Sequence, residues 1–165
     1  MSITKSALDE LLIIHRDRRT RLYDFLETVP GDILTRPASG PWGNIIGMLA
    51  HSVRTEAYWV HEVARGKSLG LPRSAYVSDL SAVRGIADTV NQATSDFLSG
   101  LDDAALAAIV TDESGREFPV AMAFLHAITH DNYHRGQILL LVQQSGRDVP
   151  DLIPAFRLIR GRHLR

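Results

Sequence analysis

Between Phe124 and Ile138 the chain carries His126, His130 and His134, three of its seven histidines, each four residues from the next. On a helix of ~3.6 residues per turn, neighbours four apart sit about 40° from one another, so the imidazoles form a row along one face. Ala123, Ala127, Ile138 and Leu141 fall on the same side. The row therefore points into apolar surroundings, which makes this stretch an interior helix of a helical assembly. Buried imidazoles need partners, and a metal ion serves two or three of them at once.

A chain of 165 residues, 45% hydrophobic and 22% charged, fits a single domain over 1–165 and can bury a core without cross-links. A net charge of −1 gives no reason to expect nucleic acid or an anionic membrane as partner. The chain has no cysteine, which excludes disulfides, thiolate metal sites and a cysteine nucleophile and leaves N and O ligands for any metal. Lys5, Asp9 and Glu10 interrupt the first stretch inside an amphipathic pattern, unlike a signal or transit peptide. No apolar run approaches the ~18 residues of a spanning helix, and a cytoplasmic setting is expected.

The helical period recurs four times. Residues 3–29 read as a first helix, with Leu8, Leu11, Leu12, His15, Leu22, Phe25, Leu26 and Val29 on one stripe and Arg16, Asp17, Arg19 and Asp24 mostly opposite. Pro30-Gly31 ends it, and a turn-rich stretch follows to Pro41. The second helix runs over 42–64 with Asn44 as its cap. Ile45, Ile46, Leu49, Ala50 and Val53 make it apolar on several sides, hence central. His51 shares a face with Asn44, Gly47, Thr55, Tyr58 and Glu62, which reads either as a lined cavity or as a solvated side. Residues 65–78 form a long loop, suited to a cover or a contact surface. A third helix opens at Asp79 or Ser81 and runs to about Leu98, stopped by Gly100.

Ile109 to Thr111, then Asp112-Glu-Ser-Gly115, then Arg116 to Phe118 spell a small hairpin, which must lie on the helices because a lone hairpin is marginal. Pro119 suits the first turn of the fourth helix, which ends at Ser145-Gly146. The segment 148–165 holds an apolar patch (Leu152, Ile153, Phe156, Leu158, Ile159) expected to pack back on the bundle, and a basic end. The expected fold class is all-α: a four-helix bundle with a long linker between helices 2 and 3 and a small β-hairpin before helix 4.

The string His-Glu-x-x-His is absent, and so is the Glu-x-x-His of carboxylate-bridged di-iron bundles. A mononuclear site remains. His130 and His134, at i and i+4, can bind one ion together, and His51 on the second helix is the candidate third ligand. Three neutral imidazoles with open positions match catalytic rather than structural zinc, and nickel or ferrous iron accepts the same donors. The alternative is that the histidines are core residues with no metal. His15 stands alone and reads as a core-edge imidazole bonded to a neighbouring group.

The string His126-x-x-x-His130-x-x-Tyr133-His134-Arg135-Gly136-Gln137-Ile138, with Trp42-Gly-Asn-Ile-Ile-Gly-Met-Leu-Ala-His51 before it, resembles the DinB-like family of four-helix bundle proteins, a group that includes YfiT-like hydrolases. The likeness spans essentially the whole chain. It implies that His51, His130 and His134 hold one divalent ion, zinc, nickel or iron, and that the chain forms a homodimer. Relatives similar in fold include bacillithiol transferases and a mycothiol-dependent maleylpyruvate isomerase, so a low-molecular-weight thiol is an expected cofactor and a small molecule the expected substrate. The implied activity is a metal-dependent thiol S-transferase or hydrolase in which the ion activates a thiol or water; a non-catalytic metal-binding or stress-response protein is the alternative. His126 is expected to support a ligand, Gly136 to permit close helix approach, Gln137 to bond a ligand or linker, and Arg135 to do the same or to pair with a surface acid. Tyr58 or Glu62 would act as base or donor if they line the metal cavity.

Overall fold

The computed structural model describes residues 3–71 and 77–152. Helix α1 spans Lys5–Leu26, α2 Gly31–Leu34, α3 Ile45–Glu56, α4 Leu80–Ser99, α5 Asp103–Ala107 and α6 Val120–Gln144. Helix α3 continues without a break into a π-helical extension, Ala57–Ala64. Strands β1 (Ile109–Thr111) and β2 (Glu117–Pro119) pair antiparallel with Val110 opposite Phe118. Three of the four long helices begin on a side-chain cap that satisfies an orphan N–H. Thr4 Oγ1 accepts from Ala7, Asn44 Oδ1 from Gly47 and Asp79 Oδ1 from Ala82, at 3.3, 2.8 and 2.9 Å.

The long helices close a ring in which α1 packs on α4 and α6, and α3 packs on α4 and α6. The hairpin lies on the π-helical extension and on the start of α6. Fold class is all-α, as the four periodic stretches require. Two details differ from the periodic reading. Helix α1 stops at Leu26, because the N–H groups of Thr28 and Val29 turn back to Phe25 and Leu26, although Val29 stays buried. Helix α5, five residues long, is too short to show a period. Of the apolar patch expected to pack back on the bundle, Leu152 is buried; the rest, with the basic end, lies outside the described residues.

The core is not continuous. One apolar cluster holds Leu22, Leu26, Val53, Val90 and Ile138; a second holds Leu8, Leu12, Val60, Leu98 and Phe124. Between them each long helix contributes buried polar side chains: His15 and Arg19 from α1, Glu56 from α3, Thr94 from α4, and Asp131, His134 and Arg135 from α6. Arg19, placed by its charge on the solvent side of the first helix, is only 2% exposed. It forms ion pairs with Glu56 at 2.8 Å and Asp131 at 3.2 Å.

The π-helical register explains one part of this layer. Residues five apart are turned about 140° from each other on an α-helix but stack on a π-helix, whose hydrogen bonds run i→i+5. The Arg65 N–H bonds the Val60 carbonyl at 3.1 Å in that pattern. Glu56 and His61 are thereby both aimed at Thr94, whose hydroxyl donates to Glu56 Oε1 at 2.8 Å and stands 3.2 Å from His61 Nε2.

Candidate metal centre

Helices α3 and α6 face each other, and one turn of each brings histidines to the seam. His130 Nε2 lies 3.2 Å from His51 Nε2 and 3.2 Å from His134 Nε2. A ligand atom from each of the three rings falls within 4.8 Å of the others. Two nitrogens bound at about 2.0–2.1 Å to one tetrahedral ion stand about 3.3 Å apart, close to the spacing found. Hydrogen bonding between the rings cannot account for the convergence. A neutral ring nitrogen carries either one proton or one lone pair, so His130 Nε2 can satisfy one neighbour and not both.

The surroundings fix the rings. His134 donates from Nδ1 to Gln137 Oε1 at 2.7 Å, which leaves its Nε2 with the lone pair a metal requires. Gln137 in turn donates to the Tyr133 hydroxyl at 3.0 Å. His51 lies flat against Trp42, with ring centroids 3.4 Å apart and planes 11° from parallel. Trp42 is placed by a turn in which Gly43 takes φ +73°, a left-handed conformation that favours glycine. The turn's Trp42 carbonyl oxygen is packed so closely on the start of α3 that a Cβ on Gly47 would lie 2.1 Å from it.

Burial, and then the neighbouring histidines, push His51 down to about 4. The same two causes bring His130 to about 4. Both rings are therefore neutral near pH 7, the form that binds metal. His51 and His130 are half-buried and His134 is buried, so the cluster reaches the surface on one side. Among the described residues no carboxylate joins the group.

Behind the histidines the residues next to the ligands belong to the polar layer. Ser52 donates to Asp131 Oδ1 at 2.7 Å, tying α3 to α6 one residue from His51 and one from His130. Burial alone would raise the Asp131 carboxyl; the Arg19, His15 and Arg135 charges and the Ser52 hydroxyl override it and hold the group at about 2. Burial likewise opposes ionisation of Glu56, and Arg19, His15 and Thr94 hold it well below the usual carboxylate range.

Some expected placements are corrected and others are met. His126 is exposed and makes no hydrogen bond to a ligand ring; it packs on Trp59 at 5.0 Å and on His130 at 5.6 Å, centroid to centroid. Arg135 is 6% exposed and pairs with Asp131 itself at 3.2 Å, not with a surface acid. Gly136 is exposed, and a Cβ there would meet nothing within 4 Å, so it is not a point of close helix approach. Gln137 bonds the candidate ligand His134, as expected. Tyr58 and Glu62 are engaged away from the histidines: Glu62 accepts from Ser68 at 3.1 Å, and the charges acting on Tyr58 come from Glu113, Asp112, Glu62 and Arg116. His15 lies between two carboxylates, 3.5 Å from Glu56 and 3.6 Å from Asp131.

Fold and site together define an α-helical bundle with three convergent histidines supplied by two facing helices. The DinB family model matches residues 1–156, and the chain belongs to the DinB family. Its fold is similar to that of a DinB-like protein from Bacillus cereus ATCC 10987, known from a crystal structure at 2.01 Å. The TM-score is 0.63 at 23% identity, over 91% of this chain and 98% of that one. No curated protein matches the chain. No described helix is long and apolar enough to cross a membrane.

Proposed function

We propose that the protein is a metal-dependent enzyme acting on a small molecule, either transferring a thiol or hydrolysing its substrate. The observation that carries the reading is the convergence of the Nε2 atoms of His51, His130 and His134, one of them held in the right tautomer by Gln137. Three protein donors on a cluster that reaches the surface leave room for a reactant, where a structural site would be closed by a fourth ligand. A zinc, nickel or ferrous ion held there supplies a Lewis acid that lowers the pKa of a thiol or water on its open side. The protein's own part is to keep His51 and His130 neutral by burial, to fix the planes of His51 and His134 with Trp42 and Gln137, and to shield one side of the site with the bundle. With no cysteine in the chain, a thiol would enter as a free low-molecular-weight cofactor. A homodimer in the cytoplasm completes the reading; light scattering of the purified protein checks the dimer.

The test has two stages. Metal content of the purified protein is measured first, with one equivalent per chain expected. The loaded protein is then assayed for conjugation of several thiols to a haloarene and for ester and amide hydrolysis. Activity lost in His130→Ala supports the enzyme. Full metal content with silence in every assay supports a non-catalytic metal-binding protein instead.

A further inference from the structure

On the hairpin side of the histidines, Trp59, Arg116, Glu117, Phe118, Met122 and His126 line a pocket of about 300 Å³, the small end of the range for ligand sites. Three elements build it. The π-helical extension supplies Trp59, the hairpin supplies Arg116, Glu117 and Phe118, and α6 supplies Met122 and His126. The rings form an unbroken series toward the metal centre: Phe118 to Trp59 at 5.6 Å, Trp59 to His126 at 5.0 Å, and His126 to the ligand His130 at 5.6 Å. Met122, on the same helix two turns before His130, keeps 42% of its surface exposed.

Charge narrows the ligand. Arg116 is the guanidinium of the pocket, but it is committed to Asp112, with Nε at 2.7 Å and a terminal nitrogen at 2.6 Å from the same carboxylate oxygen. Its planar head lies 5.8 Å over the Trp59 ring. Glu117 lines the pocket, and Glu113 and Asp112 act on the adjacent Tyr58. The cation that lines the pocket is thus already paired with a carboxylate. What remains is polarisable surface, two aromatic faces and a thioether, which favours flat apolar groups.

We infer that this pocket receives the uncharged, planar apolar part of the substrate, placing the substrate's reacting atom toward the histidine centre. The inference rests on the metal-dependent reading above and names the substrate class for that site.

The test uses full-length protein loaded with zinc. The neutral fluorophore N-phenyl-1-naphthylamine is titrated in, beside its anionic relative 1-anilinonaphthalene-8-sulfonate. The neutral probe is expected to bind about tenfold or more tightly than the sulfonate. Trp59→Ala and Met122→Glu are each expected to weaken it about tenfold, the scale of losing one large apolar contact, with bound zinc unchanged. Met122 is exposed, so its variant is expected to fold even if the tryptophan variant does not. His130→Ala, which loses the metal, is expected to keep the probe's affinity. With cobalt(II) in place of zinc, the protons of the bound probe are expected to relax faster. Equal binding of the sulfonate, wild-type affinity in both pocket variants, or relaxation unchanged by cobalt overturns the inference. A chain that takes up no metal overturns the metal-dependent reading alone, and the fluorescence titrations then decide the pocket.

Discussion

Two polar clusters share the seam between α3 and α6, a residue apart in sequence, and they are built on opposite terms. In the inner one, Arg19, Arg135, Glu56, Asp131, Ser52 and Thr94 answer each other: two guanidinium groups face two carboxylates, and two hydroxyls donate to those carboxylates. The outer one sets three imidazole nitrogens against one another with no protein group to reconcile them. Buried charge is tolerable when it is paired and hydrogen-bonded, and the inner charges are paired, although both nitrogens of His15 and the Nε atoms of Arg19 and Arg135 have no hydrogen-bond partner there. The outer cluster could hold a cation, and among the described residues no carboxylate joins it. The same seam carries both, but the inner cluster is buried and charge-paired whereas the outer one reaches the surface with imidazoles alone.

That contrast can be broken from either side. The largest effect is expected from His130→Ala, because His130 is the nitrogen shared by both short contacts. Metal content should fall to none after dialysis, a loss beyond the roughly 10–100-fold caused by removing a supporting partner. The metal-free protein should keep its urea midpoint, since the variant removes an unsatisfied group. Glu56→Gln should do the reverse: a loss of about 3–5 kcal/mol in urea unfolding from breaking a buried pair, with metal still bound by the folded protein. Its acid dependence supplies a second reading. Glu56 binds its proton less tightly folded than unfolded, so it contributes stability above the unfolded carboxylate range, about 4.3, that drains away as pH falls below it. The variant should show a shallower decline between pH 5 and 3 than the wild type. The smallest effect is expected from Gln137→Leu. His134 loses the acceptor that fixes its tautomer, and competition with a chelator should show zinc held about 10–100-fold more weakly, with the fold unchanged.

The bundle, the hairpin and the pairing of His130 with His134 could be read from spacing, because burial on a helix repeats at 3.6 residues; His51 is a candidate on a central helix, and the family resemblance completes the set with it. The inner cluster could not. Charged residues on a periodic stripe are assigned to solvent by default, and Arg19 becomes interior only because Glu56 and Asp131, 37 and 112 residues further along, arrive to meet it. Nor does a sequence mark where a helix widens. Extending α3 at 100° per residue beyond Glu56 put Tyr58 and Glu62 beside His51, whereas the i→i+5 register turns Glu62 toward the following loop and brings Glu56 and His61 into line. His126 shows the limit of the opposite kind. It has the spacing of a ligand, but Nε2 convergence ends one turn below it.

Gly47 has no side chain to offer a metal, and its place in the chain suggests only the first turn of a helix. Yet the Trp42 carbonyl occupies the space its side chain would fill, and Trp42 is the plate against which His51 lies. Any larger residue there must lift the turn, and the tryptophan with it, away from the ligand. A library of random variants selected for tight metal retention would therefore return an intolerant position at 47, indistinguishable in its score from a supporting partner of the ion although nothing at 47 touches it.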